Sequence, residues 1–354
     1  MPWSGRGIGT YDDIPGQPPL DLQLATASRL VGPKGWVVLF LQPVLDASPA
    51  VIAAFGDKLR MAYSHSLRVV VRLGWKGAMV DNADAGSNGT RYTRVAKKLA
   101  LVSAALPLPP AGLGPLLLHA GNELNACNEW RCTSPAGVVK SLATRAAEVG
   151  GFMADTMDGL RALPAAANGS LWLAHASIAD WQTDGCECGT NEAVGTGREG
   201  VKFQELLVAA RPALYAQARW LSSHAYPFSN SNYSSNTSSR AYRGLTYYRA
   251  ERATVNASAA ELPTVLTETG WARLNRGNPV SEADQAEWMT RAARELWAPD
   301  PSVLAVCPFL LGGRLWESSG WGFVDCPPAN SSEAPCDAPL HERAVFGAWR
   351  RAGD

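Results

Sequence analysis

Two glutamates close short apolar runs and have neighbours suited to acid–base and nucleophilic chemistry. Glu123 follows Leu116-Leu117-Leu118-His119-Ala120-Gly121-Asn122, and Glu268 ends Thr264-Val265-Leu266-Thr267. A facing pair of carboxyls can divide the cleavage of a C–O bond. One, protonated, donates to the leaving oxygen; the other, ionised, attacks or steadies the cationic carbon. His224 and Tyr226 lie at and just past another apolar run, and Arg72 lies in Val69-Val70-Val71-Arg72-Leu73. Such groups supply the hydrogen bonds and positive charge that keep one carboxylate ionised. His119, His175 and His224 also end consecutive runs, a placement that suits ligands to a divalent metal. A second Asn-Glu dipeptide, Asn128-Glu129, falls past its run in a loop and ranks below Glu123 as a catalytic group.

These run ends need a scaffold that brings them to one place. The runs span 36–41, 67–71, 115–119, 171–174, 220–224, 264–267 and 303–309, with a weaker first one at 7–10. Stretches with apolar residues at helical spacing separate them, among them 95–106, 138–163, 203–214 and 286–297. Ser48-Pro49, Ser134-Pro135 and Ser281 read as helix starts, with a serine cap and, in the first two, proline at the first helical position. Strands alternating with helices along one chain predict a parallel sheet with crossover helices. Eight such units close into a (β/α)8 TIM barrel, read here as a single catalytic domain over 1–354. No Gly-x-Gly-x-x-Gly turn follows an early strand, so a dinucleotide-binding fold loses its main support. In a barrel the reacting groups come from the C-terminal ends of strands, which is where both glutamates fall. A Ser/Asn-rich patch at 228–239 follows the sixth strand, as either a mobile glycosylated loop beside the site or a tolerated insertion.

Taken in order, Asn122-Glu123 after the fourth strand, His224-x-Tyr226 after the sixth and Glu268 ending the seventh resemble glycoside hydrolase clan A. That clan comprises retaining β-glycosidases on a (β/α)8 barrel. The resemblance covers most of the chain by element order and does not single out a family within the clan. It implies Glu123 as general acid/base and Glu268 as nucleophile, with Asn122 on the sugar 2-hydroxyl. It further implies that Tyr226 holds Glu268, that His224 and Arg72 order the surroundings of the nucleophile, and that Trp316 meets the sugar after the eighth strand. No cofactor is implied. The chain has 13 tryptophans. Trp75, Trp130, Trp181, Trp271, Trp316 and Trp321 fall at or just past strand ends, where indoles make flat platforms for sugar rings. Trp36, Trp288 and Trp349 read as core.

Two other readings come from different classes. One is a metal-dependent barrel hydrolase using His119, His175 and His224, although the first strand carries no His-x-His. The other is a sugar-binding barrel without catalysis. Lys plus Arg and Asp plus Glu each total 32, for a net charge of zero with no basic block. Composition therefore argues against nucleic acid and anionic membrane surfaces as partners, and the resemblance implies a carbohydrate substrate. No apolar run is long enough to insert across a membrane. Asn88, Asn168, Asn232, Asn236, Asn256 and Asn330 open glycosylation triplets. Cys127 and Cys132, Cys186 and Cys188, and Cys326 and Cys336 lie close together, a pattern that suits loop-stapling disulfides in an oxidising compartment; the six allow fifteen connectivities, and Cys307 reads as the free seventh inside an apolar strand. The N-terminus has no signal pattern. The expectation is a secreted glycoprotein whose leader is absent from this sequence.

Overall fold

The computed structural model describes residues 4–10, 17–74, 92–126, 129–134, 136–179, 199–227, 232–255, 261–275, 278–312, 320–326, 336 and 340–352. Among the described residues, eight parallel strands alternate with eight principal helices: β1 Gly7–Thr10, α1 Leu20–Val31, β2 Trp36–Leu41, α2 Pro49–Ser64, β3 Arg68–Leu73, α3 Thr93–Ala104, β4 Leu116–Ala120 and α4 Leu142–Arg161. The second half continues with β5 Leu171–His175, α5 Glu199–Ala210, β6 Leu221–His224, α6 Tyr247–Thr254, β7 Thr264–Glu268, α7 Glu282–Ala292, β8 Val303–Val306 and α8 Ala344–Arg351. Hydrogen bonding joins β1 to β5 in one sheet and β6, β7 and β8 in another. Parallel bridges cross both seams, Arg6 with Val306 and Ala179 with His224. The architecture is the (β/α)8 barrel read from the sequence.

Period-two alternation sorts each strand into two faces. Trp36, Val38, Val70, Leu117, Ala174, Val265, Ala305 and Cys307 pack together inside the barrel, with Trp220 at the entry to β6. Their neighbours Val37, Leu39, Val69, Val71, Leu118 and Leu266 join the layer beneath the helices. The weak sequence signal of β1 has a steric cause. A Cβ at Gly7 would meet Cys307 Sγ at 2.3 Å, and one at Gly9 would meet the Phe309 carbonyl at 2.2 Å. Only glycine lets the barrel close there.

Two of the three serine-capped helix starts read from the sequence form as expected. Ser48 Oγ accepts from Val51 N and Ser281 Oγ from Asp284 N, as their positions predict. Ser134 does not start a helix, which corrects the sequence reading. Its hydroxyl accepts from Val138 N and its carbonyl from Gly137 N, closing a turn with Gly137 at φ +76°. Ser141 caps α4 instead, through Thr144 N. Cys326 and Cys336 form a disulfide, Cys132 is also disulfide-bonded, and Cys307 is free and buried. Cys186 and Cys188 lie outside the described residues. Among the acceptor asparagines, Asn168, Asn232 and Asn236 are described, and all three are exposed. The Ser/Asn-rich patch is anchored rather than loose over its described part. Tyr233 is buried, donates to Glu295 Oε2 at 2.7 Å and lies beneath Arg291.

One buried carboxyl lies between barrel and helices, away from the strand ends that carry Glu123 and Glu268. Glu251 on α6 accepts from Ser223 Oγ and borders a small cavity with His175, Gln204, Tyr215 and Tyr248. Burial pushes it up to about 8, against the opposing pull of the Ser223 bond. Between its ordinary value of 4.5 and about 8, the folded chain keeps a proton that the unfolded chain has lost. Stability therefore falls as pH rises through that window. Glu251→Gln, permanently neutral, is expected to flatten the dependence of Tm on pH from 5 to 8. An unchanged slope would show that Glu251 is not the group responsible.

Candidate active site

The C-terminal mouth of the barrel gathers Arg72 from β3, Asn122 and Glu123 after β4, His224 ending β6 with Tyr226 two residues past it, and Glu268 from β7. One carboxylate oxygen of Glu123, one ring nitrogen of His224 and one carboxylate oxygen of Glu268 lie within 4.8 Å of one another. All three residues are buried: Glu123 is 5 % exposed, Glu268 6 % and His224 0 %. Oxygens this close are nearer to the roughly 5–5.5 Å of a directly attacking carboxyl pair than to the 6.5–9.5 Å of a pair that seats a water between them.

Local backbone features aim these side chains. The pairing of β6 with β7 slips by one residue, so that Ser223 faces Leu266 but His224 faces Glu268. Such a bulge breaks strict alternation. Thr267 points into the barrel toward Ser177 and Ser222, and Glu268 can then also reach the mouth. After β4 the chain turns through Gly121 at φ +90° and Glu123 at φ +28°. A left-handed backbone at a non-glycine residue costs about 1–3 kcal/mol and is typically retained at a functional site.

Glu268 sits among donors. Arg72 Nη1 donates to its Oε1 and Tyr226 Oη to its Oε2 at 2.9 Å, while His224 Nδ1 lies 3.7 Å from Oε2. Burial alone raises this carboxyl. The charges of His224 and Arg72, with the hydrogen bonds from Arg72 and Tyr226, outweigh burial and hold it below its ordinary value. Arg72 is itself 2 % exposed and lies over the ring of Phe40, 4.4 Å from its centroid. Glu123 pairs instead with His224, whose Nδ1 is 2.8 Å from Oε1.

The structure separates the three histidines, correcting the metal-ligand set built on them. His175 has the parity of the outer face, with Nε2 2.7 Å from the Leu214 carbonyl and its ring against Tyr215. His119 is fully buried in the barrel beside Trp220, its proton affinity held well down by burial and then by Arg72 and His224. Among the described residues, the cluster with metal-binding spacing is Glu123, His224 and Glu268, where the Arg72 guanidinium already occupies one oxygen of Glu268.

Trp271 is likewise corrected as a sugar platform. It is 1 % exposed and packs on Trp288, because the chain after β7 turns inward over α7. Trp130 is fully buried against Tyr92 and Phe152. Trp321 remains half-buried at the mouth, edge-on to Tyr226 and Phe309 at 5.3 and 5.6 Å. Trp75, Trp181 and Trp316 lie outside the described residues. Glu129, ranked below Glu123 as a catalytic group, contacts the site through Asn122. Its Oε1 accepts from Asn122 Nδ2 at 3.1 Å, and burial pushes its carboxyl up to about 7. The repeated Asn-Glu, six residues after the first, was the available signal.

No protein-family model matches the chain, and no curated protein matches it in sequence. Its fold is shared with solved glycoside hydrolases. A GH5_18 protein from Streptomyces cattleya, in complex with GlcNAc, aligns with a TM-score of 0.63 at 17% identity, over 99% of this chain and 80% of that one. A GH5_18 protein from Bifidobacterium longum subsp. infantis gives 0.58 at 13%, over 94% and 72%. A glucosidase from Croceicoccus marinus gives 0.57 at 12%, over 100% and 68%. These neighbours are clan A glycoside hydrolases, so the class defined by the fold is the (β/α)8 barrel in which those enzymes are built.

Proposed function

We propose that this protein is a retaining glycoside hydrolase that cleaves β-linked oligo- or polysaccharide by double displacement. One observation carries the reading: two buried carboxyls at the barrel mouth, their oxygens within 4.8 Å, held in unlike environments. Glu268, kept ionised by Arg72, His224 and Tyr226, attacks the anomeric carbon. Glu123 gives its proton to the departing glycosidic oxygen, leaving a glycosyl ester on Glu268. It then takes a proton from the water that hydrolyses this ester, and the sugar leaves with its original configuration. Asn122 donates to the 2-hydroxyl, an interaction that strengthens as positive charge builds at the neighbouring carbon. Trp321 offers the apolar wall beside Tyr226.

A second GH5_18 structure from Streptomyces cattleya, of a glutamate-to-alanine variant, is a complex with Manb1-4GlcNAc, which makes that disaccharide the first substrate to try. The expected result is cleavage of it or of another β-linked glycoside, with the β-anomer of the released sugar appearing first by proton NMR. Initial release of the α-anomer would overturn double displacement. Binding of glycans with no turnover would instead support the non-catalytic barrel. The same reading takes the protein as a secreted glycoprotein, supported by the Cys326–Cys336 disulfide and the exposed Asn168, Asn232 and Asn236.

A further inference from the structure

The Asn122 amide is held from both sides. Arg72 Nη1 donates to its Oδ1 at 2.9 Å, and its Nδ2 donates to Glu129 Oε1 at 3.1 Å. A guanidinium can only donate, so the Arg72 contact fixes which end of the amide is oxygen, and the Nδ2 end is left to donate to the Glu129 carboxyl oxygen. The same Arg72 nitrogen donates to Glu268, so a continuous chain of hydrogen bonds runs from Glu129 through Asn122 and Arg72 to the nucleophile. The loop that presents Glu129 is itself pinned. Ala126 N donates to the Glu123 carbonyl, and Glu129 N and Trp130 N both donate to the Ala126 carbonyl. The Trp130 indole beyond is fully buried and donates to Glu148 Oε2 at 3.2 Å.

We propose that Glu129 is the positioning residue of the sugar C2 subsite. It holds Asn122 so that the second amide N–H is presented to the C2 oxygen of the bound sugar, and it thereby sets the preference for sugars with a 2-hydroxyl. The inference rests on the glycosidase reading above and adds to it a third carboxylate that touches neither the anomeric carbon nor the leaving oxygen. Without Glu129, the Nδ2 end of Asn122 loses this acceptor and the amide can rotate away, and the gain made at the 2-hydroxyl in the transition state is lost.

The test compares kcat/KM on a 4-nitrophenyl β-glycoside that the parent enzyme cleaves with that on its 2-deoxy analogue. Glu129→Ala is expected to lower the preference for the 2-hydroxy substrate by about ten-fold or more, in line with one hydrogen bond strengthened in the transition state. Glu129→Gln keeps an acceptor and should retain most of the preference. Asn122→Ala should lose it, and adding Glu129→Ala to that variant should change the ratio by less than about two-fold, because the two residues act as one unit. Should Glu129→Ala not fold, Glu129→Leu removes the acceptor while filling a similar volume. Equal losses on both substrates, an unchanged ratio, or additive losses in the double variant would each overturn the role of Glu129 while leaving the glycosidase reading intact. A parent that cleaves no β-glycoside would overturn both.

Discussion

Glu268→Ala is expected to lower kcat by at least about 10⁴-fold while the barrel stays folded, because under the proposed mechanism it removes the group that forms the covalent bond. The loss leaves the buried Arg72 cation without its ion-pair partner and costs stability, but not every contact around it. Arg72 keeps the Asn122 carbonyl oxygen and the Phe40 ring as partners, and Tyr226 still packs on Trp321. The small anion azide can enter the space left by the carboxylate, next to the Arg72 cation. Attacking from that side, it displaces the aglycone once and yields an α-glycosyl azide from a β-glycoside. Partial recovery of rate with that inverted product would establish Glu268 as the nucleophile. Near-parental turnover of the variant, or a rescued product of retained configuration, would remove it from that role. Circular dichroism of the variant separates lost chemistry from lost fold.

Glu123→Ala is expected to show a loss that depends on the leaving group. Protonating a poor leaving group contributes about 10²–10⁴-fold, whereas 2,4-dinitrophenolate departs without help. On a disaccharide kcat/KM should fall by that factor. On a 2,4-dinitrophenyl glycoside kcat/KM should stay close to parental, while kcat drops because the glycosyl ester now lacks its general base. Azide attacks that ester directly, so the rescued product is a β-glycosyl azide, opposite to the one from Glu268→Ala. The geometry accounts for the difference. Glu123 pairs with His224, which has its other carboxylate neighbour at 3.7 Å, while Glu268 is held by the Arg72 cation. A uniform loss across leaving groups would point to a structural role for Glu123.

Much of the barrel is legible residue by residue. The run 36–41 is β2 itself, and the remaining strands match their apolar runs to within a few residues, because β-branched and leucine-rich stretches bounded by turn residues have few other uses. Ser48 and Ser281 cap their helices for a local reason, since a hydroxyl at that position meets a free backbone N–H wherever the helix packs. Ser134 carried the same signal and failed, because Gly137 allowed a tighter turn that satisfied the same groups first.

By itself, the sequence determined the alternation of strands and helices, the residues at strand ends, and hence the presence of Asn122, Glu123, His224, Tyr226 and Glu268 around one barrel mouth. Tertiary structure alone decided which of the candidates meet. The one-residue slip between β6 and β7 turns Glu268 toward His224, and it depends on pairing between segments more than 40 residues apart in the chain. Trp271 looked like a platform and is core, since exposure is a property of what packs over a side chain. His175 faces the helix layer, where its ring nitrogen finds the Leu214 carbonyl. Glu129 looked like a loop residue remote from the chemistry, and its carboxyl meets the Asn122 amide, with Glu129 N and Trp130 N both donating to the Ala126 carbonyl. Local patterns reflect short-range sterics and hydrogen bonding; convergence depends on register and chain return, which are set only when the whole barrel closes.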